Sequence, residues 1–182
     1  MGLLSMVPLL CTGGCAGPPW LARRSAGPTG WLGQQVDRQD PALSGNGQWL
    51  ASLVQENGTA TLLLQERPSG RRVPLPRLRR LTPHASPSLS WNGRYVALLV
   101  RQGPRHLAVL EDRASGRLHR LPLPASLAPE RLSLAPDGRR LAVAGVDQGR
   151  PQIKLFDLSG LLEPDLPSGQ AVRGPAGGLE DR

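Results

Sequence analysis

The sequence predicts an all-β fold that repeats three times along the chain, and three observations lead there. The composition is 39% hydrophobic but only 3% aromatic, with 22 glycines and 19 prolines. Turns are therefore frequent and the core must be mostly Leu, Val and Ala, which favours many short strands over long helices. An Asn-Gly or Asp-Gly dipeptide recurs at Asn46-Gly47, Asn92-Gly93 and Asp137-Gly138, with glycines 46 and 45 residues apart. A Ser-Gly pair then follows each of these glycines, at Ser69-Gly70, Ser115-Gly116 and Ser159-Gly160, spaced 23, 23 and 22 residues on.

Each element of the repeat has a mechanical reason. Asn-Gly and Asp-Gly are favoured in tight hairpins because such turns need positive φ, which Gly and Asn adopt at low cost. They join a first strand (Pro41 to Ser44, Pro87 to Ser90, Arg131 to Leu134) to a second (Trp49 to Val54, Tyr95 to Val100, Leu141 to Ala144). The second strands are almost continuously apolar, so both of their faces should be covered. Polar turns at Glu56-Asn57-Gly58, Gln102-Gly103-Pro104 and Asp147-Gln148-Gly149 lead to third strands at Thr61 to Gln65, His106 to Leu110 and Gln152 to Phe156. After Ser-Gly there is room for a fourth, outermost strand, such as Arg72 to Leu81 or Arg117 to Leu123, where Arg and Pro would guard an exposed edge against unwanted pairing.

A period of this length, with four strands in it, matches the roughly 40–45 residues of a β-propeller blade. The pattern resembles the TolB-like propeller repeat, a WD-type blade in which a Ser-Pro-Asp-Gly turn precedes an apolar strand, a second strand ends in Asp, and Leu-Thr closes the blade. The third copy matches best, with Ala135-Pro136-Asp137-Gly138, Leu141-Ala142-Val143 and Ile153-Lys154-Leu155-Phe156-Asp157, and Leu81-Thr82 closes the first. The first two copies lack the Pro and carry Asn for Asp. The fold class expected is thus a partial β-propeller of three four-stranded antiparallel blades, at about residues 36–82, 83–128 and 129–165. Closed propellers use about 4–8 blades, so three leave two blade faces open. The expectation is a head-to-tail homodimer that completes a six-bladed ring, with Trp31 to Val36 as a candidate clasp strand.

Residues 1–17 read as a signal or lipoprotein-like segment: an apolar run from Leu3 to Leu10, too short to span a bilayer, is followed by the small residues Thr12-Gly13-Gly14-Cys15. The Gly14-Cys15 ending resembles a bacterial lipoprotein signal, which makes Cys15 the lipidation candidate and implies export to the periplasm or a membrane anchor. Thr12 stands where that family usually has Leu, and no Lys or Arg precedes the apolar run. Both cysteines, Cys11 and Cys15, lie in this segment, so the rest of the fold is expected to stand without a disulfide. Residues 18–35 read as a flexible linker and 166–182 as a disordered tail.

The formal charge is +8, with Lys154 the only lysine. Arginine spread along the whole chain, without one clustered basic face, argues against nucleic acid as the partner. The dense exception is Arg71, Arg72, Arg77, Arg79 and Arg80, a candidate interaction patch for an acidic partner or anionic head groups, with edge protection as the competing reading. No Gly-x-Ser-x-Gly elbow is present, and His84, His106 and His119 show no metal-ligand spacing, so no catalytic, cofactor or metal residue is assigned. Asp112, Asp137 and Asp157 read as turn residues that cap backbone amides. The function expected is a non-catalytic protein-interaction or scaffold module of the bacterial envelope, with its protein partner unnamed. The alternatives are a hydrolase or lyase using the propeller's central face, or a degenerate structural remnant.

Overall fold

The computed structural model describes residues 37–166 together with Gln170 and Val172, all within the unit Gln34–Arg182. Cys15 with its signal segment, the linker at 18–35, the Trp31–Val36 clasp and most of the tail lie outside the described residues.

The described chain forms three antiparallel sheets in sequence order. Sheet 1 is β1 (Arg38–Leu43), β2 (Trp49–Glu56), β3 (Thr59–Glu66) and β4 (Arg72–Val73). Sheet 2 is β5 (His84–Leu89), β6 (Tyr95–Gln102), β7 (Arg105–Asp112) and β8 (Arg117–Pro122). Sheet 3 is β9 (Leu127–Leu134), β10 (Arg140–Asp147) and β11 (Arg150–Asp157), three strands among the described residues. The first strands of the sheets lie side by side: Ser86 and Ser88 of β5 accept, through Oγ, the backbone N–H groups of Leu132 and Leu134 of β9 at 2.9 and 3.0 Å. Each sheet then steps outward strand by strand, the arrangement of propeller blades.

The alternation of strand side chains divides the apolar residues between two cores. Trp49, Ala51, Leu53, Leu62 and Leu64 of sheet 1 meet Val96, Leu98, Val100 and Val109 of sheet 2. The opposite face of sheet 2, with Tyr95, Ala97, Leu99, Ala108 and Leu110, meets Leu132, Leu134, Leu141 and Val143 of sheet 3. Hence every residue from Tyr95 to Val100 is buried, which is why the middle second strand is apolar at consecutive positions.

Three features depart from the sequence reading, each for a local reason. In the Asn/Asp-Gly turns only the glycines are left-handed (φ +69°, +67° and +76° at Gly47, Gly93 and Gly138), and each glycine N–H closes a turn to the carbonyl three residues back. The left-handed pairs sit instead in the next turns, at Asn57-Gly58 and Gln148-Gly149, which have the φ signs of type I′ hairpins. The expected outer strand from Arg72 to Leu81 is cut to two residues, because Leu75 and Leu78 are drawn into the first core and residues Leu78–Arg80 wind into a 3-10 turn. Arg77, Arg79 and Arg80 are therefore linker residues, not guards of a strand edge. The third repeat begins at Leu127, a strand start hidden in sequence by Pro129 and by a register slip in β9 opposite Ala144 and Gly145. A Cβ at Gly145 would lie 2.8 Å from Pro129 Cα, so the slip and the glycine require one another.

Candidate binding site

The Asn/Asp-Gly turns gather at one end of the sheets and are chained together. Asn46 N–H donates to the Trp91 carbonyl at 3.0 Å, and Trp91 N–H donates to the Pro136 carbonyl at 2.8 Å. Asn46 Nδ2 adds a bond to Asn92 Oδ1 at 3.2 Å. Asn46 Oδ1 and Asp137 Oδ1 also cap the backbone N–H groups of Gln48 and Arg139, at 3.0 and 2.9 Å. Between sheets, the ring of Trp49 lies against Gly93, where an added Cβ would come 2.7 Å from Trp49 Cδ1. Arg113 covers the same indole, its guanidinium 3.9 Å from the ring centroid, and donates from Nη1 to the Gly93 carbonyl at 2.7 Å. Burial above all pulls the Arg113 pKa down to about 10.

A strap from Glu163 to Leu166 crosses the same end. Asp165 Oδ2 accepts Asn92 N–H at 2.9 Å, Asn92 Nδ2 donates to the Leu166 carbonyl, and Tyr95 Oη donates to the Glu163 carbonyl at 2.7 Å. Beneath it Arg94 forms a two-pronged pair with Asp112, Nε to Oδ1 and Nη2 to Oδ2 both at 3.0 Å, each side chain only 7% exposed. Burial raises the Asp112 pKa, but the bonds from Arg94, Ser115 and Ala114 outweigh it and hold the carboxyl below its ordinary value. Burial likewise pushes the Tyr95 hydroxyl up to about 12. The serine of the Ser-Gly landmark is explained here, since Ser115 Oγ and Ser69 Oγ donate to Asp112 and Glu66 three residues earlier, at 2.8 and 2.6 Å. Asp157 Oδ1 accepts Ser159 N–H at 2.9 Å.

The three histidines fall in sheet 2 at β5, β7 and β8, and among the described residues no group of three or more His, Cys, Asp or Glu could hold a metal. His84 is 3% exposed and has a structural task. Its Nδ1 accepts Leu62 N–H at 2.8 Å, so Nε2 carries the proton and donates to the Leu78 carbonyl at 3.0 Å. Burial lowers its pKa. Glu111 accepts Leu78 N–H at 3.3 Å, so both polar backbone groups of Leu78 are held by side chains of sheet 2. The linker that carries Arg77, Arg79 and Arg80 is thereby pinned. The five-arginine patch does not act as one group: Arg71 pairs with Glu66 at 3.4 Å and Arg72 is in β4, while the other three belong to the linker. Arg77 and Arg80 line a cleft shared with Arg117 and Arg120 of β8, the outer strand expected from Arg117 to Leu123 and not counted in the patch.

The ends of the stack carry exposed apolar residues. Ile153 and Leu155 are 68% and 76% exposed, and Leu43 is 53% exposed. Cross-strand pairing with Ala144 and Ala142 puts Ile153 and Leu155 at the repeat positions of Leu62 and Leu64 in sheet 1 and Ala108 and Leu110 in sheet 2. Those four are buried beneath the next sheet. Leu43 matches Leu89 and Leu134, both buried.

Three stacked sheets, chained turns and open end faces set the context for comparison. The family model of the lipoprotein LpqB β-propeller domain matches residues 23–153. The chain belongs to this LpqB propeller family. No curated protein matches it. Solved structures similar to this LpqB-type chain include TolB from Acinetobacter baumannii, at TM-score 0.56 and 18% identity, over 68% of this chain and 30% of that one. The β-propeller domain of the Trilobed protease from Pyrococcus furiosus, described as having an open velcro topology, aligns at TM-score 0.53 and 14% identity, over 74% of this chain and 44% of that one. The chain thus spans less than half the length of either. At these identities the likeness concerns the fold, a TolB-like β-propeller.

Proposed function

We propose that the chain is a non-catalytic protein-interaction module of the bacterial cell envelope, and that its first partner is a second copy of itself. The observation that carries this reading is the mismatch between repeat position and exposure at Ile153, Leu155 and Leu43. Within the chain, each sheet that has a successor covers these positions with it. Among the described residues, the face of sheet 3 therefore presents what a following sheet would bury, and no sheet precedes sheet 1 over Leu43. A head-to-tail pair joins these two unlike ends twice and closes on itself, as heterologous contacts do when their rotation closes. Exposed apolar faces of this kind mark association surfaces.

The envelope assignment is supported by the family's description as a lipoprotein propeller and by the small-residue run before Cys15. On this reading the module lies on the exported side and is tethered through Cys15 when lipidated.

Light scattering coupled to size exclusion tests the pairing. The expected mass is that of a dimer, falling to a monomer in Leu155→Glu with an unchanged circular-dichroism spectrum. A wild-type protein that stays monomeric at tens of micromolar overturns the pairing. Membrane pelleting tests the tether, with Cys15→Ala expected to release the protein and a wholly cytoplasmic wild type refuting it.

A further inference from the structure

The linker between sheets 1 and 2 and the outer strand β8 enclose a cleft of about 790 Å³ lined by Pro76, Leu81, Leu118 and His119 together with four arginines, Arg77, Arg80, Arg117 and Arg120. Among the described residues, no carboxylate lines it. The ion pairs nearby involve other residues, Arg71 with Glu66 and Arg94 with Asp112 and Glu163. Of the buried acids next to this region, Glu111 is committed to Leu78 N–H and Asp112 to Arg94.

Four arginines lining one cleft, with no carboxylate among its described lining, give it a positive field that an anion in the cleft relieves. Their planar forks suit phosphate oxygens, which they bind in pairs of parallel hydrogen bonds. The frame is preorganised on both sides. On one side the linker is held by His84 and Glu111 through the two polar backbone groups of Leu78. On the other, β8 pairs with β7 along its length from Arg117 to Pro122. Pro76, Leu81 and Leu118 supply the apolar part of the lining. Burial keeps His119 below its ordinary pKa, so at neutral pH it adds a hydrogen-bonding ring without adding charge.

From this geometry we infer that the cleft between the 3-10 linker and β8 is a phosphate-binding site, in which Arg77, Arg80, Arg117 and Arg120 grip a ligand bearing at least two phosphate charges. The site is independent of the pairing proposed above, since it lies on the outer edge between sheets 1 and 2 and the pairing uses the free faces of sheets 1 and 3. The same chemistry is offered by a soluble phosphorylated compound and by a phospholipid head group, and the experiment separates them.

Binding is measured on the full chain with inorganic pyrophosphate by calorimetry, and with vesicles of phosphatidylglycerol in phosphatidylcholine by flotation. The double variant Arg80→Ser/Arg120→Ser removes two exposed cleft arginines, one from each wall. Its control, Arg101→Ser/Arg105→Ser, removes the same charge from the exposed β6–β7 hairpin. The cleft variant is expected to weaken binding by about 10-fold or more, and the control by about 2-fold or less. Binding of pyrophosphate with this pattern assigns a soluble phosphate ligand, and binding of vesicles alone with this pattern assigns a head group. Equal losses in the two variants would reduce the effect to overall charge and overturn the site, as would the absence of binding to either probe at low salt.

Discussion

His84→Phe isolates one buried polar contact from the packing around it. The ring shape is retained, but the Leu62 N–H loses its acceptor at Nδ1 and the Leu78 carbonyl loses its donor at Nε2. Both backbone groups belong to residues buried in the first core. The Leu78 carbonyl still accepts the Leu81 N–H at 2.8 Å, so the Leu62 N–H is the one orphan, and leaving a buried donor unmet costs about 1–3 kcal/mol. Urea unfolding followed by the fluorescence of buried Trp49 reads this directly, and at about 2 kcal/mol per molar the midpoint should fall by about 0.5–1.5 M. The same residue leaves a signature in pH. Burial lowers the folded-state pKa of His84, so below about pH 6.5 the unfolded chain takes up a proton that the folded chain refuses. The stability His84 confers is complete above that pH and declines as pH falls toward the folded pKa, by up to about 1.4 kcal/mol per unit. Other titrating groups act on both proteins, so the wild type must lose more stability than His84→Phe between pH 7.5 and 5.5. A variant within about 1 kcal/mol of wild type at pH 7.5, or one with the same pH slope, would refute the account of His84 as a neutral clamp between the linker and β3.

Asp112→Ala removes the two-pronged buried partner of Arg94, which keeps Glu163 and the Pro164 carbonyl, and should cost about 1.5–3 kcal/mol in chemical denaturation, against under about 1 kcal/mol for Glu66→Ala, whose arginine partner is exposed. Because the Asp112 carboxyl is held below its ordinary value, the stability it confers is present above about pH 4 and lost as pH falls through the folded pKa, so acid unfolding of Asp112→Asn should be shallower than that of wild type over this range. Gly145→Ala forces a methyl against Pro129 Cα and should lower the thermal midpoint by several degrees, about 1–3 kcal/mol, whereas Gly58→Asn at an open left-handed turn position should stay within about 1 kcal/mol by the same assay.

The strand-forming stretches and their connecting hairpins could be read from residues because their causes are local. Asn57-Gly58 and Gln148-Gly149 close two-residue turns by their own φ preferences, and the alternation on either side names the strands. The consecutive burial of Tyr95 to Val100 was likewise announced by its apolar run. The arginine cleft was not legible in this way. Arg77 and Arg80 stand some 40 residues before Arg117 and Arg120, and what brings them together is the burial of Leu75 and Leu78, which turns an expected edge strand into a linker.

By itself, then, the sequence determined the three-fold repeat, the antiparallel hairpins and the propeller class, since each rests on contacts between residues close along the chain. Only the tertiary structure decided which apolar positions remain uncovered, how the Glu163–Leu166 strap locks onto Asn92 and Tyr95, and which four arginines line one cleft. Burial and charge proximity are properties of the packed arrangement: Leu64 and Leu155 occupy the same repeat position on the same kind of strand, and only the presence or absence of a neighbouring sheet makes one a core residue and the other a surface.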